Sequence, residues 1–210
     1  QYPLATIETI DQLDAYPWPN PDWYDYDAFA AVTVTGERAV RMNGWNPFET
    51  LCWMTGLEEV LCRCAIDREW VGRALEHITG FYEQRVRRAL TAAGDGIDIV
   101  FFADDLGGQN GPIISPAMYR DILQPFHRQL FQAAKELAPH TKIMMHSDGY
   151  VVDVLDDVID AGLDILEAVQ TDCAGMDPVA LKQRFGDRIA FHGGISVQQL
   201  LPHADADTVE

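Results

Sequence analysis

The sequence predicts an α/β fold: a (β/α)8 TIM barrel, incomplete in this chain, with about five of its strands present. Three observations predict it. Short apolar runs alternate with amphipathic helical stretches, the pattern of parallel strands joined by right-handed crossovers. Polar residues gather just after those runs, where α/β folds place their sites. No GxGxxG follows any run, which removes the best sign of a doubly wound dinucleotide-binding sheet. A complete barrel takes eight strands and typically ~250 residues. Five strands in 210 residues therefore read as the middle of a longer protein.

Residues 1–30 read as an extended arm. Pro3, Pro17, Pro19 and Pro21 forbid a long helix there. One short helix is expected near Thr9 to Tyr16, and Trp18, Trp23, Tyr24 and Tyr26 would pin the arm to a neighbouring surface. Residues 31–210 read as the central part of a single barrel domain. A β-like run, Arg38 to Met42, leads into the turn Asn43-Gly44-Trp45-Asn46-Pro47. Helical pattern then runs from Pro47 to Ala93, broken near Gly56 and near Asp67, and Gly94-Asp95-Gly96 ends it.

Ile97 to Ala103 is short and apolar enough for a buried strand, followed by the loop Asp104-Asp105-Leu106-Gly107-Gly108. Ser115-Pro116 starts a helix, with a hydroxyl N-cap and proline at the first helical position. Its apolar face carries Tyr119, Ile122, Leu123, Phe126, Leu130 and Ala134, and Pro125 should kink or restart it. Lys142 to Met145 is the next strand, ending in His146-Ser147-Asp148-Gly149. Val151, Val154, Leu155, Val158 and Ile159 give the next helix its helical spacing, and Gly162 stops it. The strand Leu163 to Val169 ends in Gln170-Thr171-Asp172, and Asp177-Pro178 caps a helix to Phe185. Arg188 to Phe191 is the last strand, followed by His192-Gly193-Gly194, and Ser196 opens another helix.

Net charge is −18, from 15 basic and 33 acidic residues. Such a surface repels phosphate backbones and anionic lipid, so neither nucleic acid nor membrane is an expected partner. No apolar run is long enough to span a bilayer, and residues 1–20 do not read as a secretory signal. A cytoplasmic protein is expected. Cys52, Cys62, Cys64 and Cys173 form no disulfide framework and no zinc-finger spacing, so reduced, mostly buried thiols are expected.

Candidate site residues follow from the strand ends. Asp104 or Asp105 could orient a substrate or act as a base; the alternative is an Asx-type cap on their own loop. His146 and Asp148 lie two apart in extended chain and face the same way, so both could meet one ligand or metal. Asp148 could instead cap the next helix. Glu167 lies in an otherwise apolar run and needs a partner. His192 has glycines behind it that allow close approach of a ligand, or it bonds a neighbouring loop. Asn43, Trp45, Gln109 and Gln170, in the loops after their strands, complete the candidate substrate contacts.

The ordered motifs resemble those of the uroporphyrinogen decarboxylase superfamily, which includes cobamide-dependent methyltransferases. The resemblance covers essentially the whole chain. It rests on Asn43 through Leu51 with Trp53 and Gly56, and on Asp104-Asp105-Leu106-Gly107. It continues through Ile114 to Tyr119, Gln124-Pro125-Phe126, His146-Ser147-Asp148-Gly149, and Phe185 through Ile195. It implies a (β/α)8 barrel enzyme with His146, Asp148, Asp104 and Asp105 as catalytic candidates. Family methyltransferases that act on thiols carry a His-x-Cys zinc motif; here Asp148 holds the cysteine position, which makes the site harder. The decarboxylases carry an arginine-rich N-terminal segment and an early catalytic aspartate, neither of which is in this chain. Arg38 and Arg41 are a thin replacement, and an acidic mouth should repel a polycarboxylate.

The leading expectation is a methyltransferase acting on a small methylated substrate, with a corrinoid carried by a partner protein. His146 and Asp148 are then candidate zinc ligands. The alternatives are uroporphyrinogen decarboxylation, which would need no cofactor, and a non-catalytic barrel binding protein. Dimerisation through the aromatic arm is a further expectation.

Overall fold

A computed structural model describes residues 2–31 and 36–209. The N-terminal segment carries helix α1 (Ile10–Asp14), a 3-10 turn (Pro21–Trp23) and helix α2 (Tyr26–Ala31). Thr9 closes a capping box on α1 with Gln12. Helix α2 departs from the expected extended arm: the Asp25 Oδ1 accepts from the Ala28 N–H and starts a turn that Asp-Ala-Phe-Ala-Ala can continue. The aromatics do pin the segment. Trp18 stacks on His77 at 4.9 Å, and the Arg85 guanidinium lies over the Tyr24 ring.

Strand β1 (Arg41–Asn43) precedes α3 (Pro47–Thr55), α4 (Leu57–Ile66) and α5 (Arg68–Ala93). The breaks fall at Gly56 and Asp67, as the sequence reading expects, and Asp67 caps α5 by accepting from the Trp70 N–H. Strand β2 (Ile99–Ala103) leads to α6 (Pro116–Met118), a π-helical turn (Tyr119–Leu123) and α7 (Gln124–Leu137). The kink expected at Pro125 takes the form of that π turn, since proline offers no N–H to the preceding turn. The wider turn rotates the buried face. His127, Leu130, Phe131 and Ala134 go inward, and Phe126 is only partly buried.

The chain continues with β3 (Lys142–His146), α8 (Val152–Ala161), β4 (Ile165–Ala168), α9 (Pro178–Phe185), β5 (Ala190–Gly193), α10 (Leu200–His203) and α11 (Ala206–Val209). The strands form one parallel sheet in the order β1-β2-β3-β4-β5. Strands β1, β2 and β4 are shorter than the runs expected for them. Asp98 and Asp164 stand before β2 and β4 and bond the backbone of neighbouring strands through their side chains.

The two faces of the sheet differ. Met42, Val100, Phe102, Ile143, Met145 and Leu166 are buried in the core shared with the helices, and Phe102 meets Phe131 of α7 at 5.1 Å. Their neighbours Asn43, Phe101, His146, Glu167 and His192 are partly or fully exposed on the other face. A doubly wound sheet would cover both faces. One covered face and one open face match part of a barrel wall. Fully buried side chains such as Trp70, Tyr119 and Phe131 contribute roughly 1.5–3 kcal/mol each. Among the described residues, no helix is long and apolar enough to cross a membrane. The four cysteines are free; Cys52, Cys64 and Cys173 are buried, while Cys62 is exposed on α4, against the expectation for it.

Candidate active site

Register sets the site. Ala103 pairs with His146, His146 with Glu167, and Glu167 with His192, so these residues form one row across β2–β5 on the open face. Glu167 finds its partner there: its Oε2 lies 2.6 Å from the His146 Nδ1. A carboxylate accepts, so Nδ1 carries the proton and Nε2 is left facing the mouth. The Nε2 lies 3.8 Å from the Asp105 Oδ1 and 3.8 Å from the Asp148 Oδ2. One ligand atom from each of Asp105, His146 and Asp148 can be chosen so that all lie within 4.8 Å of one another. His192 stands at the edge of the group, its Nδ1 4.0 Å from the Glu167 Oε1 and its side chain exposed.

The loops that carry these residues are locked together. The Asp148 N–H donates to the Asp105 Oδ1 at 2.8 Å, and the Tyr150 N–H to the Gly108 carbonyl at 2.8 Å. Gly149 has φ +78, and a side chain on it or on Gly107 would collide with the other's backbone. Asp148 does not cap the next helix. Helix α8 starts at Val152 with no side-chain cap, which leaves the Asp148 carboxylate beside His146.

Asp104 is corrected from a candidate catalytic residue to a buried strut. It is fully buried, and its carboxylate accepts from the Phe48 N–H, the Glu49 N–H and the His127 Nε2 at 3.1, 2.9 and 2.8 Å. The His127 Nδ1 in turn lies 3.0 Å from the Tyr119 hydroxyl. The carboxylate thus satisfies the open N-terminus of α3, which no side chain of its own caps. Gln170 is also turned to structure: it is buried, and its Oε1 accepts from the Gly149 N–H. Gln109 is exposed and meets the Cys173 thiol at 3.7 Å. Asn43 ends β1 in the open, and Trp45 stacks on Tyr82 at 5.5 Å. Neither Asn43 nor Trp45 forms a hydrogen bond or ion pair with His146 or Asp105.

Glu49 belongs to the electrostatics of the mouth, and sequence reasoning missed it. Burial raises its carboxyl above the usual range; Asp105 and Asp104 raise it further, and His146 and the Asn46 amide work in the other direction. The Asn46 Nδ2 donates to its Oε2 at 2.6 Å. The available signal was its place one turn into a helix that starts right after a strand-end loop. The Cys173 thiol is raised chiefly by burial and then by Asp172 and Asp148, so it is a poor source of thiolate.

A row of imidazole and carboxylates on the open face of a parallel sheet defines an α/β-barrel protein with a histidine–carboxylate centre. The chain belongs to the uroporphyrinogen decarboxylase (URO-D) family, whose model matches residues 8–210. Members of this superfamily are enzymes, decarboxylases or methyltransferases. The fold is similar to that of a methyltransferase from Methanosarcina mazei, with a TM-score of 0.58 and 13% sequence identity. The match covers 88% of this chain and 60% of that one, so the chain spans less than two thirds of that protein's length. No curated protein sequence matches the chain.

Proposed function

We propose that this chain forms the substrate-activating part of a methyltransferase that moves a methyl group from a small methylated compound to a corrinoid carried by a partner protein. The observation that carries this reading is His146, with Nδ1 tied to Glu167 and Nε2 turned toward Asp105 and Asp148. Loss of a methyl group leaves an oxygen or nitrogen that needs a proton or a positive charge. The Glu167 carboxylate fixes the orientation of the His146 ring, and Glu49, raised by burial, is suited to hold a proton close by. Asp105 and Asp148 hold the imidazole between them and attract any cationic group that enters.

Asp105, His146 and Asp148 offer one nitrogen and two carboxylate donors, a set that fits a borderline or hard divalent cation. Glu167 behind His146 is the outer carboxylate such ligands commonly have. The set does not fit a thiolate-rich zinc centre, because Asp148 stands at the cysteine position. A bound cation would act as a Lewis acid on the leaving heteroatom. The acidic mouth, which repels a tetrapyrrole bearing many carboxylates, supports methyl transfer over decarboxylation. The test is methylation of Co(I) cobalamin by the full-length protein, followed in the corrin absorption spectrum. A broad panel of methyl ethers and methylamines that leaves the spectrum unchanged would end this reading.

A further inference from the structure

In a chain of net charge −18, most arginines are held by carboxylates, as Arg73 is by Asp14 and Arg87 by Glu83 and Glu136. Arg41 and Arg85 hold none among the described residues. The Arg85 guanidinium lies between the rings of Trp45 and Tyr24, 3.9 Å from each centroid, and its Nε is buried without a hydrogen-bond partner. Arg41 covers the Phe101 ring at 4.3 Å. Both arginines, with Asn43, Trp45 and Tyr24, line one cavity of about 480 Å³. The one carboxylate on its wall, Asp25, is exposed and has its Oδ1 engaged by the Ala28 N–H.

A guanidinium packed against aromatic rings still offers its in-plane N–H edge. That edge matches a carboxylate in two parallel hydrogen bonds. The Arg85 Nε–H, buried without an acceptor, is an unfavourable group in the free fold. The walls beside it are aromatic and suit a flat apolar body. One ring separates Arg41 from the proposed centre: the Phe101 ring under Arg41 lies 6.4 Å from the His146 ring.

We propose that this cavity binds the carboxylate of a small aromatic monocarboxylate, placing the rest of the molecule toward His146. One carboxylate held at the arginines stays clear of the Asp105–Asp148 cluster, which a polycarboxylate could not do. This deepens the methyl-donor reading and rests on it for the bound anion being the substrate.

The test is isothermal titration of the protein with benzoate, with benzamide as its neutral isostere, and with acetate. None of these donates a methyl group, so binding is read apart from turnover. Benzoate should bind at least tenfold more tightly than either. Arg41→Gln and Arg85→Gln should each weaken benzoate at least tenfold and leave benzamide unchanged, with Arg85→Lys falling between. Absence of benzoate binding, equal affinity for benzamide or acetate, or two glutamine variants that bind like the parent would each overturn the proposal. Should those variants fail to fold, the three-ligand series on the parent protein decides it. Benzoate binding without methyl transfer from methoxybenzoate removes the methyltransferase reading and keeps the pocket. Transfer that ignores both arginines does the reverse.

Discussion

The two ends of the parallel sheet use the same residue types to opposite effect. Where the strands begin, Asp98 and Asp164 are answered locally. The Asp98 Oδ2 accepts from the Val40 N–H at 2.7 Å. The Asp164 Oδ2 accepts from the Ile143 N–H at 2.8 Å and from the Lys135 Nζ at 2.7 Å, with the Lys142 Nζ 4.0 Å from its other oxygen. Where the strands end, Asp105, Asp148 and Glu167 gather on one imidazole, and among the described residues no lysine or arginine pairs with them. The first end is closed on itself and serves the fold. The second is short of positive charge, and a proton, a cation or a polar ligand must supply it.

The largest expected effect comes from removing the imidazole. His146→Ala should lower methyl transfer by about 10²–10⁴-fold and leave the melting temperature nearly unchanged, because the side chain faces the open mouth. Asp164→Asn, at the other end, should lower the melting temperature and leave turnover alone. Reversal of these two outcomes would break the comparison.

Within the mouth, two adjacent aspartates should part company. Asp104→Ala strands buried N–H groups and His127, so chemical denaturation should show a loss of about 3–5 kcal/mol. Asp105→Ala should cost under about 1 kcal/mol and weaken cation binding instead. Similar losses from both would mean that Asp105 also carries the fold.

Cation binding sharpens the contrast further. Zinc or manganese at a hundred times its dissociation constant should stabilise the protein by roughly 2.7 kcal/mol in thermal melts, reversed by EDTA. The double variant Asp105→Asn, Asp148→Asn should lose that gain, whereas Asp98→Asn should keep it. A gain that survives in the double variant would place the ion elsewhere.

The smallest effect concerns Glu49. Its carboxyl is raised in the fold, so the folded state favours the protonated form. Its contribution is fully present below the ordinary carboxylate value and is lost as pH rises through the raised one. Glu49→Gln should therefore melt slightly higher than the parent at neutral pH, and the difference should vanish as pH falls through the carboxylate range. A difference independent of pH would mean that the effect is not ionisation.

Much of this was legible in the sequence. The strand ends, the helix breaks at Gly56 and Asp67, and the pairing of His146 with Asp148 follow from spacing, because strand and helix periods say which side chains share a face. Glu167 was visibly in need of a partner, but only register shows that the partner is His146. Asp104 and Asp105 could not be told apart, since the twist where a strand ends decides which one turns inward. His127 was hidden for a related reason: the π turn before Pro125 shifts the buried face after it. Glu49 looked like an ordinary first-turn acid, and only packing shows it facing the mouth.

The glycine contact between the loops after β2 and β3 also fixes one stretch of the rim. With Gly107 against Gly149 and the Asp148 and Tyr150 N–H groups bonded across the gap, that stretch of the rim works as a fixed sill. Between β2 and β3 the surroundings of His146 are thus set by backbone contacts and need no ligand to order them.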